Sequence, residues 1–412
     1  MKVNKRVIKD AIVFIYLKLS YFIARYKINR YSRNHKIKVL FLISEVAKWK
    51  AQSLYDSLSK DTRFEPIICL YPMQVQMNDN PISVKKVQEE KMMFFVNKNM
   101  KVLDIWDADT RQLNNEVFNE PSIVFYQQTW DQPPAPDPIC IASRHLTFYI
   151  PYYLINNYHK ELDLDMKLQR RVYRYVLQNQ QIVDFFYSQV KKSHFAGKLV
   201  GLGHPCTDGY SMPRENVDYS VIYAPHFSFY VEEIGLRWCN YSTFLSNGEL
   251  ILEYAKSHPF IKWVFKPHPR LKMELINTGV WTKEKVEAYY KSWEDIGQVC
   301  LTSDYKELFI NSDLMITDCG SFLSEYSCTG KPLIRMISPY LALEPHPILR
   351  ELYNTFYVAR NNSELVSYMN MLIEQRKDPQ KKNREKEVDK IGFCTTNVAN
   401  RIHDYLSQYL AV

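Results

Sequence analysis

The sequence has little of several residues and patterns that would place it in a specialised class. Only 11 of its 412 residues are glycine and 46% are hydrophobic, so a collagen-like repeat and a disordered chain are both excluded. Its 8 cysteines form no CxxC pair and its 10 histidines form no HExxH motif, which argues against a zinc ion. We therefore expect a globular protein of a reducing compartment with no cofactor and no tightly bound metal. Magnesium carried in by a substrate stays compatible with the sequence.

Acidic residues are almost missing from the beginning of the chain. Before Lys38, ten basic residues are opposed only by Asp10. The apolar stretch Ala11–Ala24 is interrupted by Lys18 and is shorter than the roughly 20 apolar residues of a spanning helix. Such a basic helix is typical of a segment that lies on an anionic membrane surface. Its apolar side is expected to carry Phe14, Ile15, Tyr21 and Phe22.

Two other structures are conceivable for this segment. A helix that packs on the protein's own surface stays open as the alternative. A cleaved signal peptide is not predicted, because no small-residue cleavage site follows the apolar run.

From Lys36 onwards, short apolar runs alternate with amphipathic segments, a pattern typical of βαβ units on a parallel sheet. The strands predicted in the first half are Ile37–Ile43, Pro66–Tyr71, Ser122–Gln128 and Val183–Gln189, with a helix at Trp49–Leu58. Those of the second half lie within Tyr219–His226, Phe260–Arg270, Gln298–Leu301, Asp313–Asp318 and Lys331–Met336. The chain is too long for one hydrophobic core. We predict an α/β fold of two doubly wound, Rossmann-type domains that face a central cleft, preceded by an amphipathic helix.

The predicted boundaries follow the composition. Residues 1–35 form the basic helix, residues 36–212 the first α/β domain and residues 213–392 the second, with the break in the polar stretch Asp208–Asp218. The charged run Glu374–Lys390 is predicted to be a solvated connector. Residues 393–412 form a last helix, which in two-lobed proteins of this build often crosses back to the first lobe.

The segment DLMITDCGSFLSEYSCTGKPLIRM, from residue 313, carries the most specific signal. A hydrophobic strand ends at Thr317 and Asp318, a tight turn follows at Gly320, and a helix begins near Ser321. The N-terminus of a helix presents backbone N–H groups and a partial positive charge to a phosphate. Glu325 lies one turn further on the same face, where its carboxylate would accept hydrogen bonds from a ribose. The alternative is an ordinary helix capped by Ser321.

Two further strand ends carry candidate phosphate ligands. One loop contains Lys266, His268 and Arg270, with prolines on both sides of the histidine. The first strand of the second half ends in Pro225 and His226. Ligands of open α/β sheets bind at the carboxyl ends of the strands, so we expect one donor site here. It would contain Pro225, His226, Lys266, His268, Arg270, Thr317, Asp318, Gly320, Ser321 and Glu325.

These motifs resemble the CDP-glycerol glycerophosphotransferase family of teichoic-acid and capsule synthesis. The matching residues are YAP at Tyr223–Pro225, FKPHP at Phe265–Pro269, TD-x-x-S at Thr317–Ser321 and KP at Lys331–Pro332, with GHPCTD at Gly203–Asp208 as a weaker match. The resemblance covers the chain from about Lys36, and its specific motifs lie in the C-terminal half. It implies the two-lobed GT-B fold, with residues 36–212 as the acceptor-side domain and residues 213–392 as the nucleotide-donor domain. It also implies a CDP-alcohol donor, a membrane-anchored acceptor and a peripheral position on the cytoplasmic face of the plasma membrane.

The chain departs from that family in one loop. Teichoic-acid members commonly carry Trp-His-Gly-Thr-Pro, whose histidine is regarded as the base, where this chain has Trp130-Asp131-Gln132-Pro133-Pro134. Asp131 is the first candidate for the base, because a carboxylate with a raised pKa can accept a proton from an attacking hydroxyl. His204 and His145 stay open as candidates, and Asp131 alternatively only binds the acceptor.

The sequence therefore predicts a transferase that moves glycerol phosphate or a similar phospho-alcohol from a CDP-linked donor to a hydroxyl of a lipid-linked or polymeric glycan. Two alternatives stay open. The helix GSFLSEYSCTGKP also resembles the nucleotide-binding helix of UDP-N-acetylglucosamine 2-epimerases, which would indicate an epimerase or glycosyltransferase that uses a UDP-sugar. The missing Trp-His motif is also compatible with a non-catalytic scaffold. No nucleic-acid partner is expected, since the basic excess is confined to the first helix.

Overall fold

The computed structural model describes residues 5–129, 136–158, 163–164, 166–190, 197–210, 218–232, 235, 240–302, 304–341, 345–392 and 396–410, with the backbone alone for residues 5–10. The chain separates into two compact units. The first consists of Met1–Leu154, His159–Asp208 and Thr395–Val412, and the second of Ile155–Tyr158 and Gly209–Cys394.

The first unit is built on a parallel sheet of 7 strands in the order β3-β2-β1-β6-β7-β8-β9. Its strands are β1 (Ile37–Ile43), β2 (Phe64–Leu70), β3 (Val102–Asp104), β6 (Ser122–Tyr126), β7 (His145–Tyr149), β8 (Arg174–Leu177) and β9 (Leu199–Gly201), beside an antiparallel pair β4 (Trp106–Asp107) and β5 (Gln112–Leu113). Its described helices are α1 (Lys5–Tyr31), α2 (Gln52–Ser59), α3 (Pro81–Val96), α4 (Pro138–Ile141), α5 (Lys167–Arg171), α6 (Gln180–Gln189) and α15 (Val398–Leu410).

The second unit repeats this plan with 6 parallel strands in the order β12-β11-β10-β13-β14-β15. Its strands are β10 (Ser220–Ala224), β11 (Lys262–Phe265), β12 (Gln298–Val299), β13 (Leu314–Thr317), β14 (Leu333–Met336) and β15 (Tyr357–Ala359). Its described helices are α7 (Phe244–Ser257), α8 (Leu271–Asn277), α9 (Lys283–Ile296), α10 (Lys306–Asn311), α11 (Gly320–Ser327), α12 (Arg350–Tyr353), α13 (Asn362–Met369) and α14 (Lys381–Ile391). In both sheets the strand order reverses at the first strand, the arrangement of a doubly wound fold.

The strands are apolar on both faces, as parallel strands covered by helices must be. All five residues of β10 and all four of β13 and β14 are buried. A short run of consecutive apolar residues therefore predicts such a strand better than an alternation of apolar and polar residues does.

The last helix of the chain, α15, completes the core of the first unit. Its buried residues recur every three or four positions: Val398, Ala399, Ile402, Leu406 and Leu410. The Asp208 carboxylate accepts hydrogen bonds from the backbone N–H of Val398 at 2.7 Å and of Ala399 at 2.8 Å. These bonds satisfy donors that the first turn of a helix leaves without an internal partner. The chain thus returns to the first unit for its final element.

Helix α1 is apolar on two faces. One face lies in the core of the first unit through Leu17, Tyr21, Ala24 and Ile28. The opposite face is exposed although it is also apolar, and its large side chains Ile12, Ile15, Leu19, Phe22 and Tyr26 are 59% to 75% exposed. The prediction that Tyr21 lies on the outer apolar side is wrong, because its hydroxyl donates to the Arg171 carbonyl at 2.7 Å inside the unit. Within the described ranges, no helix has the length and hydropathy needed to cross a membrane.

The strand predicted at Val183–Gln189 is wrong, since this segment belongs to helix α6. The Asn179 side chain caps the helix by accepting a hydrogen bond from the Ile182 N–H at 2.8 Å. Its buried residues Ile182, Val183 and Phe186 share one helical face. Aromatic and β-branched residues favour strands in general, but packing of this face decides here.

The solvated connector predicted at Glu374–Lys390 is also wrong in its second half, which forms α14. Arg384 in this helix is 1% exposed. Its guanidinium forms an ion pair with Asp378 and donates to the Gly330 carbonyl at 2.9 Å. A buried arginine with these partners ties the charged segment to the second unit, and composition alone does not reveal it.

We expect Leu406→Ala to lower the free energy of unfolding by about 2–5 kcal/mol, because it leaves a cavity in the core of the first unit. Gln408→Ala, on the exposed face of α15, should change it by less than about 0.5 kcal/mol. Urea denaturation of the two variants measures the difference. Equal stability would contradict the packing of α15 in this core.

Candidate functional site

The carboxyl ends of β10, β11 and β13 meet at one edge of the second sheet. β10 pairs with β11 on one side and with β13 on the other, so the strand order reverses between β10 and β13. Loops diverge from the sheet at such a reversal and leave a crevice for a ligand. The three motifs predicted to bind the donor follow these three strands.

Direct hydrogen bonds join the three loops. The His268 N–H donates to the Pro225 carbonyl at 2.9 Å. The Thr317 hydroxyl donates to the Ala224 carbonyl at 2.6 Å and accepts from the Cys319 N–H at 3.0 Å. Thr317 is fully buried, so its hydroxyl holds the turn that precedes α11.

The Asp318 carboxylate, like the Thr317 hydroxyl, holds neighbouring loops in place. Asp318 is 4% exposed, and its carboxylate accepts hydrogen bonds from the backbone N–H groups of His226 and Thr243, each at 2.6 Å. The Thr243 hydroxyl donates to the same carboxylate at 3.0 Å. Burial raises the pKa of Asp318 to about 6, against the lowering effect of these donors. The geometry is that of a residue that positions the loop after β10 and the beginning of α7.

The imidazoles of His226 and His268 lie side by side, with ring centroids 5.0 Å apart. Nδ1 of His268 accepts a hydrogen bond from the Arg270 N–H at 3.1 Å, and Nδ1 of His226 accepts one from the Ser228 N–H at 3.2 Å. In each neutral ring the proton is therefore on Nε2. The two rings offer a pair of N–H donors at the end of the sheet.

Burial keeps both imidazoles uncharged. It lowers the pKa of His268 to about 4, with further lowering by Arg270 and Lys266. It holds the pKa of His226 well below its ordinary value as well. Phe227 packs 4.5 Å from each ring, and the Arg270 guanidinium lies 4.2 Å from the Phe227 centroid. Arg270 itself is exposed, so it supplies a positive charge beside the pair.

Gly320 begins α11, and its lack of a side chain is required there. A Cβ atom at this position would lie 2.9 Å from Cε1 of Tyr241. Tyr241 is fixed in turn, since its hydroxyl accepts a hydrogen bond from Asn157 at 2.8 Å. Ser321, the next residue, is exposed, with its hydroxyl 3.2 Å from the Cys319 sulfur. The first turn of α11 is thus open at Ser321 and covered at Gly320.

Lys266 and Glu325 are buried and connected through a tyrosine. The Lys266 ammonium donates to the Thr302 carbonyl at 3.0 Å and lies 4.6 Å from the Tyr305 ring centroid. The Tyr305 hydroxyl donates to one Glu325 oxygen at 2.9 Å, and the Tyr210 hydroxyl donates to the other at 2.8 Å. A ribose that binds Glu325 therefore has to compete with two phenols.

Tyr210, Tyr305, Tyr241 and Thr243 were missed by reasoning from the sequence. Tyr305 follows β12 at the same edge of the sheet, so its position after a strand was a usable signal. The other three lie in segments without a strand-end pattern. They come to the site through contacts between distant parts of the chain.

The three candidates for the catalytic base all belong to the first part of the chain, before residue 209. Asp131 lies outside the described residues. His204 is 2% exposed, with Nε2 2.5 Å from the Pro151 carbonyl and Nδ1 3.2 Å from the Cys206 N–H. His145 is held by the Ser122 hydroxyl at 2.8 Å and the Phe118 carbonyl at 3.0 Å. Both histidines therefore have the contacts of structural residues.

The part of the chain that the structure describes contains no evident metal-binding site. No three His, Cys, Asp or Glu side chains converge there as ligands of an ion. Arg270, Lys266 and the N-terminus of α11 carry full or partial positive charge at this edge of the second sheet.

No protein-family profile matches this chain, and no relative is found among curated proteins. Solved structures do resemble it. The wall teichoic acid polymerase TagF with CDPG has 12% identity and a TM-score of 0.55, over 92% of this chain and 90% of that one. The UDP-GlcNAc 2-epimerase from Neisseria meningitidis bound to UDP-GlcNAc has 12% identity and a TM-score of 0.55, over 91% and 100%. The S. aureus MnaA–UDP structure has 11% identity and a TM-score of 0.53, over 91% and 97%.

At such low identity these likenesses establish the fold. The chain has a GT-B-like α/β fold with two Rossmann-type sheets, as the sequence predicted. Both kinds of neighbour share this architecture, so the fold does not distinguish their reactions.

The shifted titration of His268 is directly measurable. We expect its imidazole to stay neutral from pH 8 down to about pH 5, because its pKa is lowered to about 4. An unfolded chain takes up this proton near pH 6.5, so the stability contributed by neutral His268 is complete above pH 6.5 and declines as the pH falls towards 4. Arg270→Gln should raise the pKa only in part, since burial is the larger cause.

Histidine-detected NMR of wild type, Arg270→Gln and His268→Gln gives the assignment and the titration curves. A wild-type pKa near the ordinary value would show that the ring is solvated and would contradict the described site.

Proposed function

We propose that the protein transfers a phospho-alcohol, glycerol phosphate or a relative, from a CDP-linked donor to a hydroxyl of a membrane-linked or polymeric glycan. The observation that supports this most is the convergence of three donor motifs at the strand reversal of the second sheet. They are held together by the backbone hydrogen bond from His268 to Pro225 and by hydrogen bonds of the Thr317 and Asp318 side chains to the loop after β10. Such an edge is the usual position of a nucleotide in folds of this type.

In this proposal the donor diphosphate lies against the His226 and His268 rings and the first turn of α11. Two Nε2–H groups, the exposed Ser321 and the helix N-terminus give hydrogen bonds and partial positive charge to phosphate oxygens. Arg270 adds a full charge. As the bond to the leaving CMP breaks, negative charge grows on that phosphate, and fixed donors stabilise it more than they stabilise the ground state.

Glu325 binds the donor ribose in this proposal, and Lys266 acts through its neighbours. The Tyr305 hydroxyl bonds Glu325 while its ring faces the Lys266 ammonium. A bound ribose would replace one phenol as the donor to the carboxylate. Thr317 and Asp318 position the loops of the donor site through their hydrogen bonds.

The nucleophile in this reaction is an acceptor hydroxyl, which needs a base. Asp131 retains that role here on the sequence argument alone. His204 and His145 are not assigned it, because both of their ring nitrogens have partners.

An enzyme that uses a UDP-sugar is the second candidate, and the likeness of the α11 sequence to epimerase helices favours it. Epimerisation requires that a proton leave a carbon atom, and therefore needs a free acid–base group near the sugar. The described carboxylates at this edge, Asp318 and Glu325, already accept two or more hydrogen bonds each.

Calorimetric titration tests the donor assignment with CDP-glycerol, CDP-ribitol, UDP-N-acetylglucosamine, CDP and UDP. We expect a CDP-alcohol to bind best, and Glu325→Ala to weaken it by about tenfold or more through the loss of ribose hydrogen bonds. Glu294→Ala, at an exposed position on α9, serves as the matched control and should bind as wild type does.

Release of CMP from donor and glycan acceptor tests the reaction itself. His268→Ala should reduce turnover by about a hundredfold or more, because a donor to the leaving phosphate is lost. Preference for the UDP-sugar would favour the second candidate. The absence of nucleotide binding, or full turnover by His268→Ala, would overturn the proposed site.

We also propose that the exposed face of α1 lies on an anionic membrane, next to the glycan acceptor. Ile12, Ile15, Leu19, Phe22 and Tyr26 form one apolar stripe along the helix. Residues 11–36 contain six basic residues and no Asp or Glu. An apolar stripe rimmed by cations fits the interface of acyl chains and anionic headgroups.

The exchange of Leu19 and Phe22 for glutamate tests this contact. Wild type should sediment with vesicles that contain phosphatidylglycerol, less so at high salt or with phosphatidylcholine alone. The double variant should bind at least about tenfold more weakly, since it loses two apolar side chains and gains two negative charges. Phe260→Glu, which alters a 68% exposed side chain of the second unit, is the control. Unchanged sedimentation of the double variant would contradict the membrane contact. Light scattering gives a second check: a wild-type dimer that the double variant fails to form would show that this face of α1 binds a second copy of the chain and not a membrane.

A further inference from the structure

Buried polar atoms without partners are concentrated at one place in the first unit. Among the described residues, both amide atoms of Gln178 and Oε1 of Gln127 are buried without a hydrogen-bond partner, and both residues directly follow strands of one sheet. Two buried phenols belong to the same part of the sheet, and each has a side-chain hydrogen bond, Tyr149 with Thr129 and Tyr175 with Gln169. Buried polar groups normally have partners, so such a concentration requires an explanation.

The sheet brings these residues to one edge. β6, β7 and β8 are adjacent and parallel, with Tyr126 in register with Tyr149 and Tyr149 in register with Tyr175. The Tyr149 and Tyr175 rings are in contact, with centroids 4.8 Å apart. Gln127 comes directly after β6 and Gln178 directly after β8. Gln127, Tyr149 and Gln178 therefore lie at the carboxyl ends of their strands, near the strand reversal between β1 and β6, and Tyr175 is level with the end of β7.

Gln178 is the clearest member of this cluster. Its side chain is 2% exposed, and neither amide atom has a partner. Exchange of the amide oxygen and nitrogen would therefore not supply one. An unpaired buried amide is unfavourable relative to a paired one, which favours a group that arrives from outside.

The chemistry of the cluster indicates the class of ligand. Its groups are amides and phenols, which donate and accept hydrogen bonds without charge. Burial is the main reason that the pKa of Tyr149 and of Tyr175 stands well above the ordinary value, and the Asp163 carboxylate adds to it. Both phenols thus remain donors, and the negative charge of buried Asp163 disfavours an anionic ligand.

We propose that the carboxyl edge of β6, β7 and β8 binds an uncharged, hydroxyl-rich ligand, a polyol or sugar unit, through Gln127, Gln178 and the two tyrosines. The tyrosine rings add flat apolar surface of the kind on which such ligands pack. The further identification of this ligand as the terminal unit of the acceptor rests on the proposed transferase function.

The test compares binding with stability in Gln178→Met, which keeps the shape of the side chain and removes its polar atoms. Ribitol, glycerol and N-acetylglucosamine are the uncharged probes and glycerol 3-phosphate is the anionic one, observed by saturation-transfer NMR with the full chain. At least one uncharged probe should bind wild type, and the variant should bind it about tenfold more weakly. The melting temperature should stay the same or rise, because an unpaired polar group has been removed.

Gln88→Met is the matched control, since Gln88 is equally buried but donates a hydrogen bond to Asp104 at 3.1 Å and accepts one from Lys91 at 2.8 Å. It should lower the melting temperature and leave probe binding unchanged. The proposal is overturned if no uncharged probe binds, if the anionic probe binds best, or if Gln178→Met binds as wild type does. It is also overturned if Gln178→Met melts as low as Gln88→Met, which would show that a structural water pairs the amide.

Titration of the same proteins with CDP-glycerol separates this proposal from the function proposed above. Gln178→Met should keep the donor affinity of wild type. Failure of wild type to bind CDP-glycerol would overturn the donor assignment, while the polyol probes would still decide this site.

Discussion

Reversal of the strand order inside each parallel sheet is the constraint on which the rest of this structure depends. Because all strands run the same way, their carboxyl ends share one edge, and the connections leave that edge in opposite directions at the reversal. In the second unit this happens between β10 and β13, where Ala224 is in register with Thr317. One buried carboxylate, Asp318, then bonds the backbone just beyond β10 and the beginning of α7. Topology, the buried Asp318 and Thr317 side chains and the His268–Pro225 hydrogen bond thus bring the three loops together.

Burial determines what this edge offers to a phosphate. Neutral His226 and His268 give hydrogen bonds without charge, and the full positive charge comes from Arg270 at the surface. An entering anion would raise the pKa of both rings, because it stabilises their charged forms. The site is thus able to gain positive charge as negative charge arrives. A lysine in the place of His268 would carry its charge before the anion binds. Burying that charged ammonium would cost desolvation free energy that the neutral imidazole does not require.

Much of the fold was predictable because it depends on local patterns. Runs buried on both faces marked most strands, and the motifs after β10, β11 and β13 follow from parallel topology. The contacts that shape the site were not predictable, since they join residues far apart in the chain. His226 meets Asp318 over 92 positions, and Tyr210 meets Glu325 over 115. The error at α6 has a different cause, because its aromatic residues favour a strand until the capping by Asn179 and the packing of one face are known.

The two units differ in whether the polar groups at their strand ends have hydrogen-bond partners within the protein. In the second unit, Thr317, Asp318 and Glu325 all have hydrogen-bond partners within the protein. In the first unit, Gln127 and Gln178 leave amide atoms unpaired although they are buried. A preorganised edge suits a charged diphosphate, because fixed dipoles lose nothing by reorientation when the anion arrives. An unpaired, uncharged edge suits a hydroxyl-rich ligand, because the ligand's hydroxyls form the hydrogen bonds that the protein leaves open. The same strand order therefore supports two kinds of recognition, and the difference lies in which polar groups the local packing satisfies.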